Sequence, residues 1–122
     1  MSGFREIFEA YGADYESTMT RFVNNQAMYL RLLTMFFKDE NLKLLGEALE
    51  ASDYKKAFEA AHTLKGVTAN MGLTPLFDKV CDIVEPLRAG DEQMNYMEKY
   101  QELLAEYERV RVLLEDLEAA GV

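Results

Sequence analysis

Apolar residues recur at helical spacing along the whole chain, and nowhere do they alternate with polar ones as a half-buried strand requires. Phe4, Ile7, Phe8 and Tyr11 mark a first short helix that stops at Gly12. From Asp14 a second short segment sets Tyr15, Met19, Phe22 and Val23 on one face and runs out in the polar pair Asn24-Asn25. A longer helix covers Gln26 to Phe37, with Tyr29, Leu32, Leu33 and Phe36 inward and Met28 and Met35 read as core filling ahead of an adaptable binding surface. Residues 38–41 interrupt it before Leu42, Leu45 and Leu49 resume the spacing. Ser52 and Asp53 offer capping oxygens to the next helix, whose buried stripe is Ala57, Ala60, Leu64, Val67, Thr68 and Met71 and whose stop is Gly72. Thr74 as cap and Pro75 as first helical residue open another helix, apolar at Leu76, Val80, Ile83, Val84 and Leu87, with Phe77 at its edge, until Ala89-Gly90. The tight join makes these two helices antiparallel. Pro86 removes one backbone donor and is expected to kink or loosen the turn that includes Asp82. Asp91 is read as opening the last helix, where Met97, Tyr100, Leu104, Tyr107, Val110, Leu114 and Leu117 recur to the end.

The pattern predicts one all-α domain over residues 1–122, a helical bundle at 26–120 with short N-terminal cover helices at 1–25 that are too small to bury their own surface. Met19 and Phe22 are assigned to the core ahead of any partner. Six glutamates of the last helix, Glu98, Glu102, Glu106, Glu108, Glu115 and Glu118, read as a solvated face. The bundle consumes the apolar stripe of that helix, so a monomer is expected in preference to a coiled-coil scaffold.

Composition narrows the partners. With 122 residues, 49% of them hydrophobic, the chain has enough apolar side chains for a real core. Its net charge of −9 works against nucleic acid and anionic membranes, where Lys and Arg drive binding, and leaves proteins as the partners. A single cysteine permits no internal disulfide. With no apolar run of about 18 residues and no basic-then-apolar leader, the expected location is the cytoplasm.

His62 is the only histidine. At ~100° per residue it points away from the buried stripe, and Phe58, Lys65, Gly66 and Ala69 share its face. Imidazole is both a nucleophile near neutral pH and a leaving group once substituted, which are the two properties a group carrier needs. For a phosphoryl group, Lys65 would balance the oxygens as a mobile point charge. Gly66 costs about 1 kcal/mol against alanine in a helix interior, and clearance for a partner reaching the imidazole is a reason for it. Lys55 sits in a first turn where the helix dipole prefers acids, and on the His62 face it would attract an acidic partner. A metal site is disfavoured, because one histidine and one cysteine supply too few ligands beyond carboxylates. Pairing of Cys81 with His62 as a hydrolytic dyad is disfavoured too, since Cys81 falls in an apolar pattern and reads as a small core residue. No glycine-rich nucleotide loop is present, so self-phosphorylation from ATP is not expected.

Ala61-His62-Thr63-Leu64-Lys65-Gly66, followed by Gly72, closely resembles the signature of histidine-containing phosphotransfer (HPt) domains. The likeness extends to Arg21-Phe22-Val23 through Phe36-Phe37, to Ala51-Ser52-Asp53-Tyr54 and to Leu87-Arg88-Ala89-Gly90-Asp91. It implies an antiparallel up-down four-helix bundle whose His62 accepts a phosphoryl group from a receiver domain's aspartyl phosphate and hands it to another receiver. Lys65 would stabilise charge, Gly66 would give clearance, and Phe58, Ala69 and Lys55 would border the docking patch. The implied partners are receiver domains of response regulators or hybrid histidine kinases, and the implied activity is that of a phosphocarrier without kinase activity of its own. No cofactor is expected on this chain, the magnesium coming from the receiver. The chain departs from the pattern at Val84, where some members carry a glutamine that hydrogen-bonds the imidazole, and Glu85 stands next to it. A helical adaptor that binds a receiver or kinase without carrying phosphate is the alternative.

Overall fold

The computed structural model describes residues 3–120, which form seven α-helices and, among the described residues, no strand. These are α1 (Phe4–Tyr11), α2 (Tyr15–Arg21), α3 (Gln26–Phe36), α4 (Asn41–Glu50), α5 (Tyr54–Asn70), α6 (Thr74–Arg88) and α7 (Tyr96–Ala119). Four of them start on a side-chain cap, which satisfies one of the amide donors a helix leaves open at its beginning. Asp14, Asn25, Asp53 and Asn95 accept from the amides of Ser17, Met28, Lys56 and Glu98 at 3.2, 2.9, 3.2 and 3.1 Å.

Helix α5 lies between α4 and α6, α6 packs on α7, and α7 returns to α4, so the four helices close a ring around one core. Leu45, Leu49, Leu64, Leu76, Val80, Ile83, Leu103 and Val110 fill it. The α4–α7 contact is close because Gly46 has no side chain. A Cβ there would stand 2.5 Å from the hydroxyl oxygen of Tyr100, which donates to the Leu42 carbonyl at 2.9 Å. Helices α1 and α3 also pack on α7. The N-terminal segment is tied down by aromatic edges: Phe8 and Phe22 each meet the Tyr29 ring edge-to-face at 5.2 Å. Met19 and Phe22 are both buried and belong to the core, as expected.

The periodic faces of α1, α3, α4 and α6 agree with the sequence reading, and several other expectations need correction. Val23 is 82% exposed. It and Asn24 take φ of 52° and 57°, turning the chain before the face that begins at Tyr15 can continue. Met35 is exposed and does not fill core, while Met28 packs partly against it. Ser52 does not cap α5. It takes φ 54° at the end of α4 and leaves the cap to Asp53. The residue before α6 is Leu73, held by burial and not by a side-chain hydrogen bond, so Thr74 is helical and Pro75 is the second residue of the helix. Pro86 falls in the last turn of α6, which runs unbroken to Arg88.

The last helix differs most. Asp91 belongs to a loop, where it accepts from the Gln93 amide at 2.9 Å and its carbonyl takes the Tyr96 hydroxyl, and α7 starts only after Asn95. The fully inward row of α7 is Tyr96, Leu103, Glu106, Val110, Leu113 and Leu117. Met97, Tyr100, Leu104, Tyr107 and Leu114 flank it half-buried, since α7 touches four other helices and needs a wide apolar sector. Glu106 is therefore not on a solvated face. Its buried carboxylate takes a forked contact from Arg109 at 3.1 and 3.0 Å, which keeps the charge paired.

Gly72 has φ 69°, and a Cβ on it would lie 1.9 Å from Oγ1 of the buried Thr18. Gly72→Ala combines a left-handed backbone penalty with overpacking, and is expected to lower the unfolding free energy by about 2–4 kcal/mol in urea titrations.

Candidate functional site

The site is built on α5. Its inward face is made of small residues, with Ala57, Ala61 and Thr68 fully covered and Ala60 and Leu64 nearly so. Alanine methyl groups let α4 and α6 approach closely on either side, and the Thr68 hydroxyl is satisfied inside the helix by the Leu64 carbonyl at 2.8 Å. Ala61, missing from the predicted stripe, is one of the most buried residues. The next residue, His62, is exposed. One step of about 100° thus carries the chain from the sealed side of the helix to the open side. Val67, placed in the predicted stripe, is only half-buried.

The far end of α5 is fixed with unusual completeness. The Leu73 and Gly72 amides donate to the Thr68 and Ala69 carbonyls at 3.0 and 3.1 Å, a Schellman closure. Arg21 of α2 donates to the Asn70 and Ala69 carbonyls at 3.1 and 3.2 Å, and the buried Tyr29 hydroxyl of α3 donates to the Met71 carbonyl at 2.7 Å. A guanidinium at a helix C-terminus also complements the helix dipole.

Around the imidazole, the Phe58 ring lies 5.6 Å away, centroid to centroid, tilted by 35°. Lys55 and Ala69 are exposed, two turns before and two turns after His62. Gly66 is exposed as well, and a Cβ built on it meets nothing within 4 Å. No neighbour inside this chain therefore requires a glycine there. Beside Gly66 runs an open groove of about 590 Å³ between α3 and α5, lined by Leu32, Met35, Phe36, Val67 and Met71.

Lys65 does not float free. Its Nζ donates to Oε1 of Glu85 on α6 at 3.0 Å, and Oε2 of Glu85 lies 3.4 Å from Nε of Arg88. The Arg88 guanidinium is stacked 5.4 Å over the Phe58 ring. The hydrogen bond from Lys65, with Arg88 adding to it, holds the Glu85 carboxyl below the usual carboxylate range, so it is an anion at neutral pH. Cys81 is half-buried, not a core residue, and burial pushes its thiol up, away from the reactive thiolate. Val84 is fully buried. From α6, Glu85 reaches Lys65 and Arg88 reaches the Phe58 ring.

His62, Lys65, Gly66, Phe58 and Ala69 thus lie along one outer face of α5, with Lys55 at its beginning. Sequence reasoning did not place Glu85 and Arg88 in ion pairs at this face, nor Met35 beside it. The three-residue spacing of Glu85 and Arg88 was readable as an ion pair. The reach of Lys65 across to a second helix was not. Among the described residues, no group of three or more His, Cys, Asp or Glu side chains could hold a metal ion, and no helix is long and apolar enough to cross a membrane.

Comparison with known proteins places the site in a family. The Hpt domain family model matches residues 31–120, from within α3 to the end of α7, and includes every residue of the candidate site. No curated protein and no solved structure matches the chain. Hpt domains take part in histidine-containing phosphotransfer in two-component signalling, as phosphocarriers and not kinases. With most of its length matched and its one histidine exposed on the central helix of the fold, the chain belongs to the Hpt domain family.

Proposed function

We propose that this chain is the carrier of a multistep phosphorelay, with His62 as the phosphoryl acceptor. The observation that carries the reading is the exposed imidazole beside the open space over Gly66, with an ammonium three residues along the same helix. The ring nitrogen that bears no hydrogen attacks the phosphorus of an aspartyl phosphate on a receiver domain. An N–P bond forms as the P–O bond to the aspartate breaks, and the electron pair leaves with the carboxylate. The ring keeps its proton on the other nitrogen. Transfer onward repeats the exchange with the aspartate of a second receiver. Such reactions are governed by positioning and charge stabilisation, and an exposed histidine with little around it leaves much of both to the partner.

Lys65 supplies a positive charge for the phosphoryl oxygens, and Gly66 lets the partner's backbone come close. Phe58, Ala69 and Lys55 border the docking patch, and the groove between α3 and α5 continues it past Gly66. Receiver domains of response regulators or hybrid kinases are the partners, and the divalent metal that phosphoryl transfer needs comes with them. We read the ring of α4 to α7 as an antiparallel up-down four-helix bundle, working as a monomer in the cytoplasm with the N-terminal helices laid over it.

Incubation with a phosphorylated receiver domain is expected to place an acid-labile label on the protein, and His62→Gln to abolish it. Label persisting in His62→Gln would remove His62 from this role, while no label from any receiver would favour the adaptor. Lys65→Ala is expected to slow transfer roughly tenfold, the effect of losing one charge-assisted contact, without changing the circular dichroism spectrum. Gly66→Ala is expected to raise stability by about 0.5–1 kcal/mol, because the helix gains a better former and the new methyl meets no neighbour, and yet to slow transfer.

A further inference from the structure

Lys65 already has an anionic partner before any phosphoryl group arrives. Its ammonium is hydrogen-bonded to Glu85 at 3.0 Å across the α5–α6 contact. Arg88 steadies that carboxylate from its other oxygen at 3.4 Å and is itself stacked on Phe58, the aromatic neighbour of His62. The carboxylate is thus held from two sides, on the rigid outer faces of two packed helices. Lys65 also lies three residues from His62 on the same helix, within reach of a group attached to the imidazole.

A phosphoryl group on His62 would bring negative oxygens into the reach of the same ammonium. Two consequences have the same sign. The phosphoryl oxygens compete with Glu85 for Lys65, and the carboxylate repels them as a like charge. An exposed pair of this kind is worth a modest amount, so exchange of partners is feasible and its effect on rate is measurable.

Resting on the assignment of His62 as acceptor, we propose that Glu85 is a positioning residue that parks Lys65 in the unloaded protein, so that loading His62 requires the ammonium to change partners from carboxylate to phosphoryl oxygens. Glu85 thereby slows loading and favours release of the group. The acceptor is kept from becoming a sink.

The test uses phosphoramidate as donor, which needs no receiver. The imidazole nitrogen forms an N–P bond as the donor's P–N bond breaks, and the donor nitrogen, already carrying three hydrogens, leaves as ammonia with the electron pair of that bond. Loading is followed by phosphorus NMR in wild type, Glu85→Gln, Lys65→Ala and the double variant, with thermal unfolding of each. Glu85→Gln is expected to load about two- to fivefold faster than wild type, and the same substitution in the Lys65→Ala background to have no comparable effect. Equal acceleration in both backgrounds would reduce Glu85 to simple repulsion and overturn the parking role. Unchanged loading with a lowered unfolding midpoint would make the pair a staple between α5 and α6 and overturn it also. Failure of the wild type to take label on His62 would instead bring down the carrier assignment itself.

Discussion

Every carbonyl that the end of α5 would leave open has a partner: two amides of its own terminal turn, two donors from Arg21 and the hydroxyl of Tyr29. Backbone acceptors at a helix end otherwise take water or fray, and a frayed last turn would let the whole rod rock. Here the turn is locked by three separate parts of the chain. The left-handed Gly72 permits the closure, and its missing Cβ admits Thr18. The position of His62 two turns upstream inherits that fixity.

The other half of the arrangement is the thinness of α5 on its inner side. Ala57, Ala60 and Ala61 contribute little volume, so α4 and α6 come in close on either side of α5. A histidine there is easily reached, but it is not enclosed. In the proposed relay this chain would offer a fixed helix and one ion-paired ammonium, and the remaining groups would belong to the partner. The groove beside Gly66 is lined mainly by apolar side chains, with Lys38, Asp39 and Asn70 among them, and Met35 is exposed.

Much of this was legible in the sequence because helical periodicity is strong where one face of a helix is buried and the other is wet. The inward rows of α1 and α6 and the outward direction of His62 follow from spacing alone. The reading failed where a helix is surrounded. In α7 the apolar sector is so wide that spacing selected its flank, Met97, Tyr100, Leu104, Tyr107 and Leu114, in place of the row Tyr96, Leu103 and Leu113. Glu106 was misplaced for a related reason, since its charge suggests water and only the fold brings Arg109 over it. Ser52 and Leu73 show the limits of cap rules: a serine can turn the chain through a left-handed residue, and burial of a leucine can begin a helix without a capping oxygen. The link from Lys65 to Glu85 joins residues twenty positions apart, and only packing of α5 on α6 reveals it.

Thr18, Arg21 and Tyr29 all precede Arg31, where the family match begins. The clamps on the histidine helix therefore come from residues that precede the matched segment. Two proteins with the same residues around the histidine can thus differ in how firmly that helix is seated. The stiffness of the platform can drift through substitutions in the N-terminal helices alone, with the face around His62 left unaltered.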